Sequence, residues 1–448
     1  MCFRIKKCLN ISMYKEILKK IKLKKIKICV VGLGYVGLPL AIRLIKSNVN
    51  VFGYDTDKKK IDYLKNGKSY ISNISNNELI YFKKNKKNLF RNISNLKKID
   101  VFIVCLPTPL SNNNKPEMKY VHNFFESLRQ FIHDGQVFIL ESTVYPGASL
   151  EIINKLNLKQ KILNKKNFFI FSPEREDPGN TKFSYKFTPK VVSGFTKECL
   201  KIGKKIYSLF VKKTVSTTSL EVAETSKLLE NIFRSVNIGL INEFKIICKK
   251  MNINIYDVID VAATKNFGFM KFYPGPGLGG HCIPIDPFYL SWASKKKGYD
   301  PKFIKLSGYI NKNITSWVLK NILNYFLKKK INYKNKKILI IGIAYKKNVD
   351  DDRETPAYYI MNKLLQKNIK IQYHDPYIKK IRKGRKFKNL SNFKSIELSK
   401  KNIQNSLAAI ILTDHDEIDY NKIRKYSNLI FDTRGKYKKT INENIIQL

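Results

Sequence analysis

Short apolar runs, each closing in a polar loop, alternate with helix-period segments along the first part of the chain. The runs are "KIKICVV", "VNVFGYD", "DVFIVCLP", "QVFILES" and "NFFIFSPER". That alternation predicts a parallel doubly wound α/β sheet with its ligand at the carboxyl ends of the strands. The pattern changes at "TTSLEVAETSKLLENIFRSVNIGLINEFKIICKK", which reads as one helix opened by a capping-box pair, Thr218 and Glu221. Glu224, Lys227, Asn231 and Arg234 recur at three- and four-residue spacing and share one face of it, opposite an apolar face that includes Leu229, Ile232, Val236 and Leu240. Such a polar stripe usually faces water. A second long helix is expected over roughly Phe303 to Lys329.

The last part restarts the opening theme. "NKKILIIGIAYK" echoes "KKIKICVVGLGY", and "IKIQYHDP" echoes "VNVFGYD". The expected fold is therefore α/β, with two Rossmann-like doubly wound domains joined by a central helical domain and a long connecting helix. The expected division is a basic helical lead-in over residues 1–25, a dinucleotide domain over 26–213, a helical domain over 214–330 and a second nucleotide-type domain over 331–448. The reacting site is expected in the cleft between the two nucleotide domains.

The first strand runs into G-x-G-x-x-G at Gly32, Gly34 and Gly37, followed by an amphipathic helix and a second strand ending at Asp55, 18 residues past the last glycine. In that setting the glycines let a pyrophosphate approach the helix N-terminus, whose free N–H groups favour anions. An acid at Asp55 suits the adenosine ribose and favours NAD over NADP. In the last part only Gly342 remains of the fingerprint, so a dinucleotide is not expected there.

A second glycine cluster stands at "GPGLGGHCIPIDPFYL", where Gly275, Gly277, Gly279 and Gly280 precede Cys282 and Asp286. Either something packs closely on that backbone, or it is a turn followed by a buried thiol. A cysteine near an NAD site suggests covalent oxidation of an aldehyde: a thiolate adds to the carbonyl, the hemithioacetal yields hydride, and water cleaves the thioester. An alcohol-oxidising step needs a base, for which Lys227 and Asp286 are candidates, directly or through a water.

Composition changes the picture in two places. Lys and Arg outnumber Asp and Glu by 85 to 35 over 448 residues, a formal charge of +50. Charge alone points to nucleic acid or an anionic membrane, but the lysines are spread evenly, with no basic arm and no RNA-binding signature, which favours solvated surface positions. No specific nucleic-acid partner is expected. The seven cysteines are scattered without C-x-x-C, which argues for a reducing compartment and against a disulfide framework or a zinc site. No metal is expected. No run reaches the roughly 18 apolar residues of a membrane span, and the start lacks an apolar signal-peptide core, so a cytoplasmic protein without membrane insertion is expected.

"VVGLGYVGLPLA", "LPTP", "ESTVYPG", "FSPER", "AETSKLLENIFRSVN", "GPGLGGHCIPIDPFYL" and "GIAYKKNVDDDRETPA" follow in order over roughly residues 26 to 435. Together they resemble the UDP-glucose/GDP-mannose dehydrogenase family of nucleotide-sugar 6-dehydrogenases. "KFYPGPGLGGHCIPIDPFYL" is most similar to the bacterial UDP-N-acetyl-D-glucosamine 6-dehydrogenases that feed surface-polysaccharide synthesis. The resemblance implies an NAD-dependent four-electron oxidation of a UDP-sugar, with UDP-N-acetylmannosamine and UDP-glucose as the alternative substrates. It implies Cys282 as nucleophile; Lys227, Asn231 and Asp286 positioning the catalytic water and steadying the oxyanion; and Thr143 and Glu174 supporting thioester hydrolysis. Gly32, Gly34, Gly37, Asp55, Lys60, Thr108 and Thr143 would bind NAD. The sugar nucleotide would meet Glu174, Arg175, Lys227, Asn231, Arg234, Phe272, Tyr273, Gly277 and Gly279, with Lys346, Arg353 and Arg434 on the uridine diphosphate side or at a partner subunit. A homodimer or larger homo-oligomer, joined through the helical middle, is implied as well. A non-catalytic nucleotide-sugar-binding protein is the distant alternative.

Overall fold

The computed structural model describes residues 13–71, 74–111, 113–175, 187–280, 283–381, 387–438, 440 and 442–448. Two compact units divide the chain: one up to Glu230 plus Phe288–Gly298, the other Asn231–Pro287 plus Tyr299–Leu448.

The first unit is built on an eight-stranded sheet: β1 (Lys27–Val31), β2 (Asn50–Tyr54), β3 (Leu89–Phe90), β4 (Val101–Val104), β5 (Val137–Leu140), β6 (Phe168–Phe171), β7 (Lys190–Gly194) and β8 (Thr214–Ser216). Its order is β3-β2-β1-β4-β5-β6-β7-β8. Strands β4, β5 and β6 are apolar and buried along their whole length, the signature of a sheet covered on both faces. Parallel pairing holds everywhere except between β6 and β7, which run antiparallel. An antiparallel neighbour needs no crossover helix, so strand–helix alternation could not announce this pair. Three helices matter for the site: α1 (Gly37–Lys46), α2 (Ala148–Lys155) and α3 (Lys197–Tyr207).

The long helix is α4 (Leu220–Lys250). Its first turn is capped by Ser219, whose Oγ accepts from Val222 N–H at 3.3 Å, one residue later than the Thr218 cap expected from the capping-box pattern. The buried side of α4 is mixed, with polar residues beside Ala223, Leu228, Ile232 and Ile241. Glu224, Lys227, Asn231, Ser235, Asn242 and Lys245 are buried, while Leu229, Phe233, Leu240 and Phe244 are exposed on this chain. Of the four residues assigned to the apolar face, only Ile232 is fully buried. Helical period says which side chains share a face, but partners decide which face can leave water.

The second unit combines the rest of α4 with α5 (Ile255–Ala262), the start of α6 (Asp286–Lys296), α7 (Lys302–Lys328) and a second sheet. That sheet takes β9 (Lys337–Ile341), β10 (Lys370–His374), β11 (Ala408–Ile411), β12 (Ile430–Asp432) and β13 (Ile445–Gln447) in the order β10-β9-β11-β12-β13, all parallel. Helix α7 matches the long segment expected from its period, and α8 (Pro356–Leu365) starts with Pro at its first position behind Thr355, whose side chain accepts from Ala357 N–H. The α/β architecture with two Rossmann-like sheets and a helical middle is as expected. Among the described residues no helix is long and apolar enough to cross a membrane.

Candidate active site

At the nucleotide end, β1 runs straight into the glycine turn. Gly32 has φ +88° and donates its N–H to the Tyr54 carbonyl. Leu33 N–H reaches Asp55 Oδ2 at 2.9 Å, and Lys60 Nζ donates to the same oxygen at 2.9 Å. A Cβ on Gly37 would lie 2.0 Å from the Gly32 carbonyl oxygen, so only glycine lets α1 begin this close to β1. A Cβ on Gly34 would instead meet nothing within 4 Å. Open space over Gly34, the N–H groups at the start of α1 and a buried acid closing β2 fit the pyrophosphate and ribose of a dinucleotide. Thr108 and Thr143 come together as well: Thr108 Oγ1 donates to the Thr143 carbonyl at 2.8 Å, and the Tyr289 hydroxyl donates to the Thr108 carbonyl at 2.9 Å.

In the same unit, Glu174 follows β6 and Lys227 sits buried on α4. Burial works to raise the Glu174 carboxyl, but the charges of Lys190, Arg43 and Lys227 outweigh it and the net shift is downward. Arg175 is held by Glu230 at 2.6 Å and by the Pro189 carbonyl at 2.9 Å, which ties the segment after β6 to α4. Glu224 has a different task. Its carboxylate accepts from Gly147 N–H at 2.6 Å and Ser149 N–H at 2.9 Å, capping α2.

In the second unit, Asn231 Nδ2 donates to Asp286 Oδ2 at 2.5 Å, and Asp286 is only 1% exposed. Lys227 and Asn231 are one turn apart on α4, so the buried amine and this amide–carboxylate pair lie on one helix face. Arg234, at the edge of that face, is exposed. Cys282 lies outside the described residues.

The glycine loop ahead of Cys282 approaches the protein itself. A Cβ on Gly277 would fall 2.2 Å from Thr315 Oγ1 of α7, and one on Gly279 would fall 2.6 Å from Tyr345 Cβ in the loop after β9. Gly280 N–H donates to the Arg353 carbonyl at 2.9 Å, and a Cβ on Gly275 would crowd the Arg434 guanidinium. The loop is thus brought together with Arg353 and Arg434. Each guanidinium is also anchored locally: Arg353 on Asp351 at 2.6 Å, and Arg434 Nε on the Leu412 carbonyl at 2.7 Å. Lys346 is half-buried in the loop after β9. Phe272 packs edge-on against Phe233, and the Tyr273 hydroxyl donates to Asp260 at 2.8 Å.

Two residues that sequence reasoning passed over hold this loop in place. Asn242 Nδ2 donates to Asn311 Oδ1 at 3.1 Å, Asn311 Nδ2 donates to the Ser235 carbonyl at 2.8 Å, and Gly275 N–H donates to Asn242 Oδ1 at 3.2 Å. The signal was available, because Asn242 continues the polar stripe three turns beyond Asn231.

A first sheet whose strands β3-β2-β1-β4-β5-β6 follow the dinucleotide-binding order, with a glycine turn that fits a pyrophosphate, and a second Rossmann-like sheet define a dinucleotide-binding protein with a second nucleotide-type domain. The chain belongs to the UDP-glucose/GDP-mannose dehydrogenase family: the family's NAD binding domain matches residues 26–211, its central domain 221–313 and its UDP binding domain 339–439. It is 32% identical over 423 residues to a UDP-N-acetyl-D-mannosamine dehydrogenase of Methanococcus maripaludis, covering 91% of this chain and 92% of that one. It is 34% identical over 359 residues to a UDP-N-acetyl-D-glucosamine 6-dehydrogenase of Pseudomonas aeruginosa, covering 80% and 84%. The solved UDP-D-ManNAc dehydrogenase of Pyrococcus horikoshii superposes with a TM-score of 0.81 at 27% identity, over 94% of this chain and 99% of that one. The protein is an NAD-dependent nucleotide-sugar dehydrogenase with a UDP-sugar as substrate.

Proposed function

We propose that this enzyme oxidises the C6 hydroxyl of a UDP-N-acetylhexosamine to the carboxylate, with UDP-N-acetyl-D-glucosamine as the preferred sugar. The support for glucosamine is the resemblance of the loop around Cys282 and the relative at 34% identity. UDP-N-acetyl-D-mannosamine is the second reading, carried by the archaeal relative and the Pyrococcus structure named above.

In this reading Lys227, Asn231 and Asp286 hold a water against the reacting carbon. A proton leaves the C6 hydroxyl toward Asp286, directly or through that water, with Lys227 assisting the transfer by steadying the alkoxide, as the first hydride departs. The Cys282 thiolate then adds to the aldehyde carbon, and collapse of the hemithioacetal expels a second hydride and leaves a thioester. Water, supported by Glu174 and Thr143, attacks the thioester; the C–S bond breaks, the thiol is restored and the carboxylate leaves. NAD⁺, when bound, would be the hydride acceptor in each oxidation, with the first NADH exchanged for a second NAD⁺, so two NADH form per sugar. What supports these roles most is the Asn231–Asp286 contact at 2.5 Å, which holds a buried amide and acid together one turn from the buried Lys227.

The division of labour follows the sequence reading: residues 26–213 hold NAD, 214–330 carry the central catalytic and subunit-joining helices, 331–448 take the UDP side, and 1–25 form a basic lead-in. Arg175, Arg234, Phe272, Tyr273, Gly277 and Gly279 contact the sugar nucleotide, with Lys346, Arg353 and Arg434 on the diphosphate side. The exposed row Leu229, Phe233, Leu240 and Phe244 on α4 supports a homodimer or larger homo-oligomer joined through that helix. The enzyme works in the cytoplasm and feeds surface-polysaccharide synthesis. NADH formation with UDP-N-acetylglucosamine, UDP-N-acetylmannosamine and UDP-glucose in separate assays tests the reading. The highest kcat/KM belongs to UDP-N-acetylglucosamine; a preference for the mannosamine epimer transfers the proposal to the second reading, and no NADH from folded protein with any sugar overturns it.

A further inference from the structure

Next to Glu174 stands a group of ionisable side chains that the steps above leave unused. Glu141 follows β5 and is 1% exposed; Lys190 opens β7; Tyr207 closes α3; Cys105 follows β4. Lys190 Nζ lies 3.1 Å from Glu141 Oε2 and 3.7 Å from Glu174 Oε2. The Tyr207 hydroxyl donates to the other Glu141 oxygen, and Lys190 Nζ stands 5.1 Å from the centre of the Tyr207 ring. Two carboxyls therefore share one buried lysine. Lys190 by itself balances one of them, and an unpaired buried carboxylate is costly, so the carboxyl with less support from other cations is the one that tends to keep its proton.

The surroundings select which one. Glu174 also feels Arg43 of α1 and Lys227 of α4, and its side chain keeps 15% of its surface, whereas the Glu141 side chain has none. Among the described residues the groups that act on Glu141 most are Lys190, Glu174 and Tyr207, and Cys105 lies near enough to feel its charge. Burial drives Glu141 upward, Lys190 opposes that in part, the Glu174 charge adds to it, and the balance is about 7. Burial likewise pushes the Cys105 thiol and the Tyr207 phenol up, so both stay neutral near neutrality.

We propose that Glu141, clamped by Tyr207 and Lys190, is a positioning residue that holds Glu174 as the anionic member of a buried carboxyl pair. Glu141 does not touch substrate; it acts through Glu174, and so the inference rests on the hydrolytic role given to Glu174 above. Below the Glu141 titration the pair carries one proton, and Lys190 faces a single carboxylate charge. As pH rises through the Glu141 titration a second negative charge appears beside Glu174, and the geometry that supports the attacking water is disturbed.

Two variants read this out. Glu141→Gln keeps the shape and stays neutral, so the ratio of its kcat to that of the wild type changes between about pH 6 and about pH 8.5, where Glu141 ionises. Tyr207→Phe removes a hydrogen bond that favours the ionised form, so the inflection in its kcat profile moves to higher pH. A purely structural role would lower kcat by one factor at every pH. A second measurement needs no activity. A folded-state value raised above the free carboxyl's 4.5 gives stability that is fully present below 4.5 and is lost as pH rises through about 7. The wild type loses thermal stability across that window relative to Glu141→Gln. Failure of the functional reading appears as no NADH at any pH, with the stability profiles still diverging. Parallel stability profiles, or a kcat ratio that stays flat with pH, overturn the inference.

Discussion

The two sheets open on the same device and put it to different use. In each, the acid closing the second strand reaches back to the N–H groups of the first turn: Asp55 to Leu33 at 2.9 Å, Asp375 to Ile343 at 2.7 Å and Ala344 at 3.1 Å. Asp55 also pairs with Lys60, one-third exposed on its side chain, and Gly34 leaves the turn open. Around Asp375 the partner is His415, both fully buried, and a Cβ on Gly342 would meet the Thr413 carbonyl at 2.1 Å. Gly342 stands where Gly32 does, and a Cβ on Gly32 would likewise fall 2.8 Å from a carbonyl, that of Cys105; the turns differ two residues on, where Gly34 is open and its counterpart Ala344 is fully buried. Strand order and the acid make the scaffold, and what lies over the turn decides whether it takes a dinucleotide.

Breaking the tightest contact in each turn has the largest effect. Gly37→Ala forces α1 away from the Gly32 carbonyl and lowers NAD affinity by about 100-fold, roughly 3 kcal/mol, in a fluorescence titration. Gly342→Ala, with φ +71° and an equally close carbonyl, lowers thermal stability but leaves NAD affinity within about twofold. Equal NAD losses in both variants would erase the contrast. Asp375→Asn costs about 2 kcal/mol by denaturant unfolding, because buried N–H groups lose a charged acceptor. Burial opposes ionisation of Asp375, but His415 and the backbone N–H donors outweigh it and lower its carboxyl. Its stabilisation is therefore fully present above the free carboxyl's 3.8 and lost as pH falls through the lower folded value, so the variant and wild type converge in acid. Gly34→Ala is subtler: nothing in the protein meets the new methyl, so stability holds while NAD binding weakens about tenfold. Lys60→Met is the smallest step, within about 1 kcal/mol for a partly exposed pair.

Much of this contrast was legible beforehand. The apolar runs, the glycine fingerprint and its reduction to Gly342 in the last part, and the extent of α7 follow from period and spacing, which are local. The rest depended on partners distant in sequence. Nothing in "TTSLEVAETSKLLENIFRSVN" reveals that Glu224 caps α2 from about 75 residues away, or that the stripe with Lys227 and Asn231 faces inward. A lone lysine opening a strand, as at Lys190, reads as solvated until Glu141 and Glu174 are seen beside it. The glycines at Gly277 and Gly279 announced a close approach correctly, but not that Thr315 and Tyr345 make it.

The ratio of NADH formed to UDP-N-acetylhexosamine consumed tests the central claim most directly. A ratio of about two in the wild type, with Cys282→Ala forming no more than one NADH per sugar while NAD affinity is retained, is the result expected of two hydride transfers joined by a covalent intermediate. A ratio of about one, with aldehyde accumulating in the wild type, would contradict it.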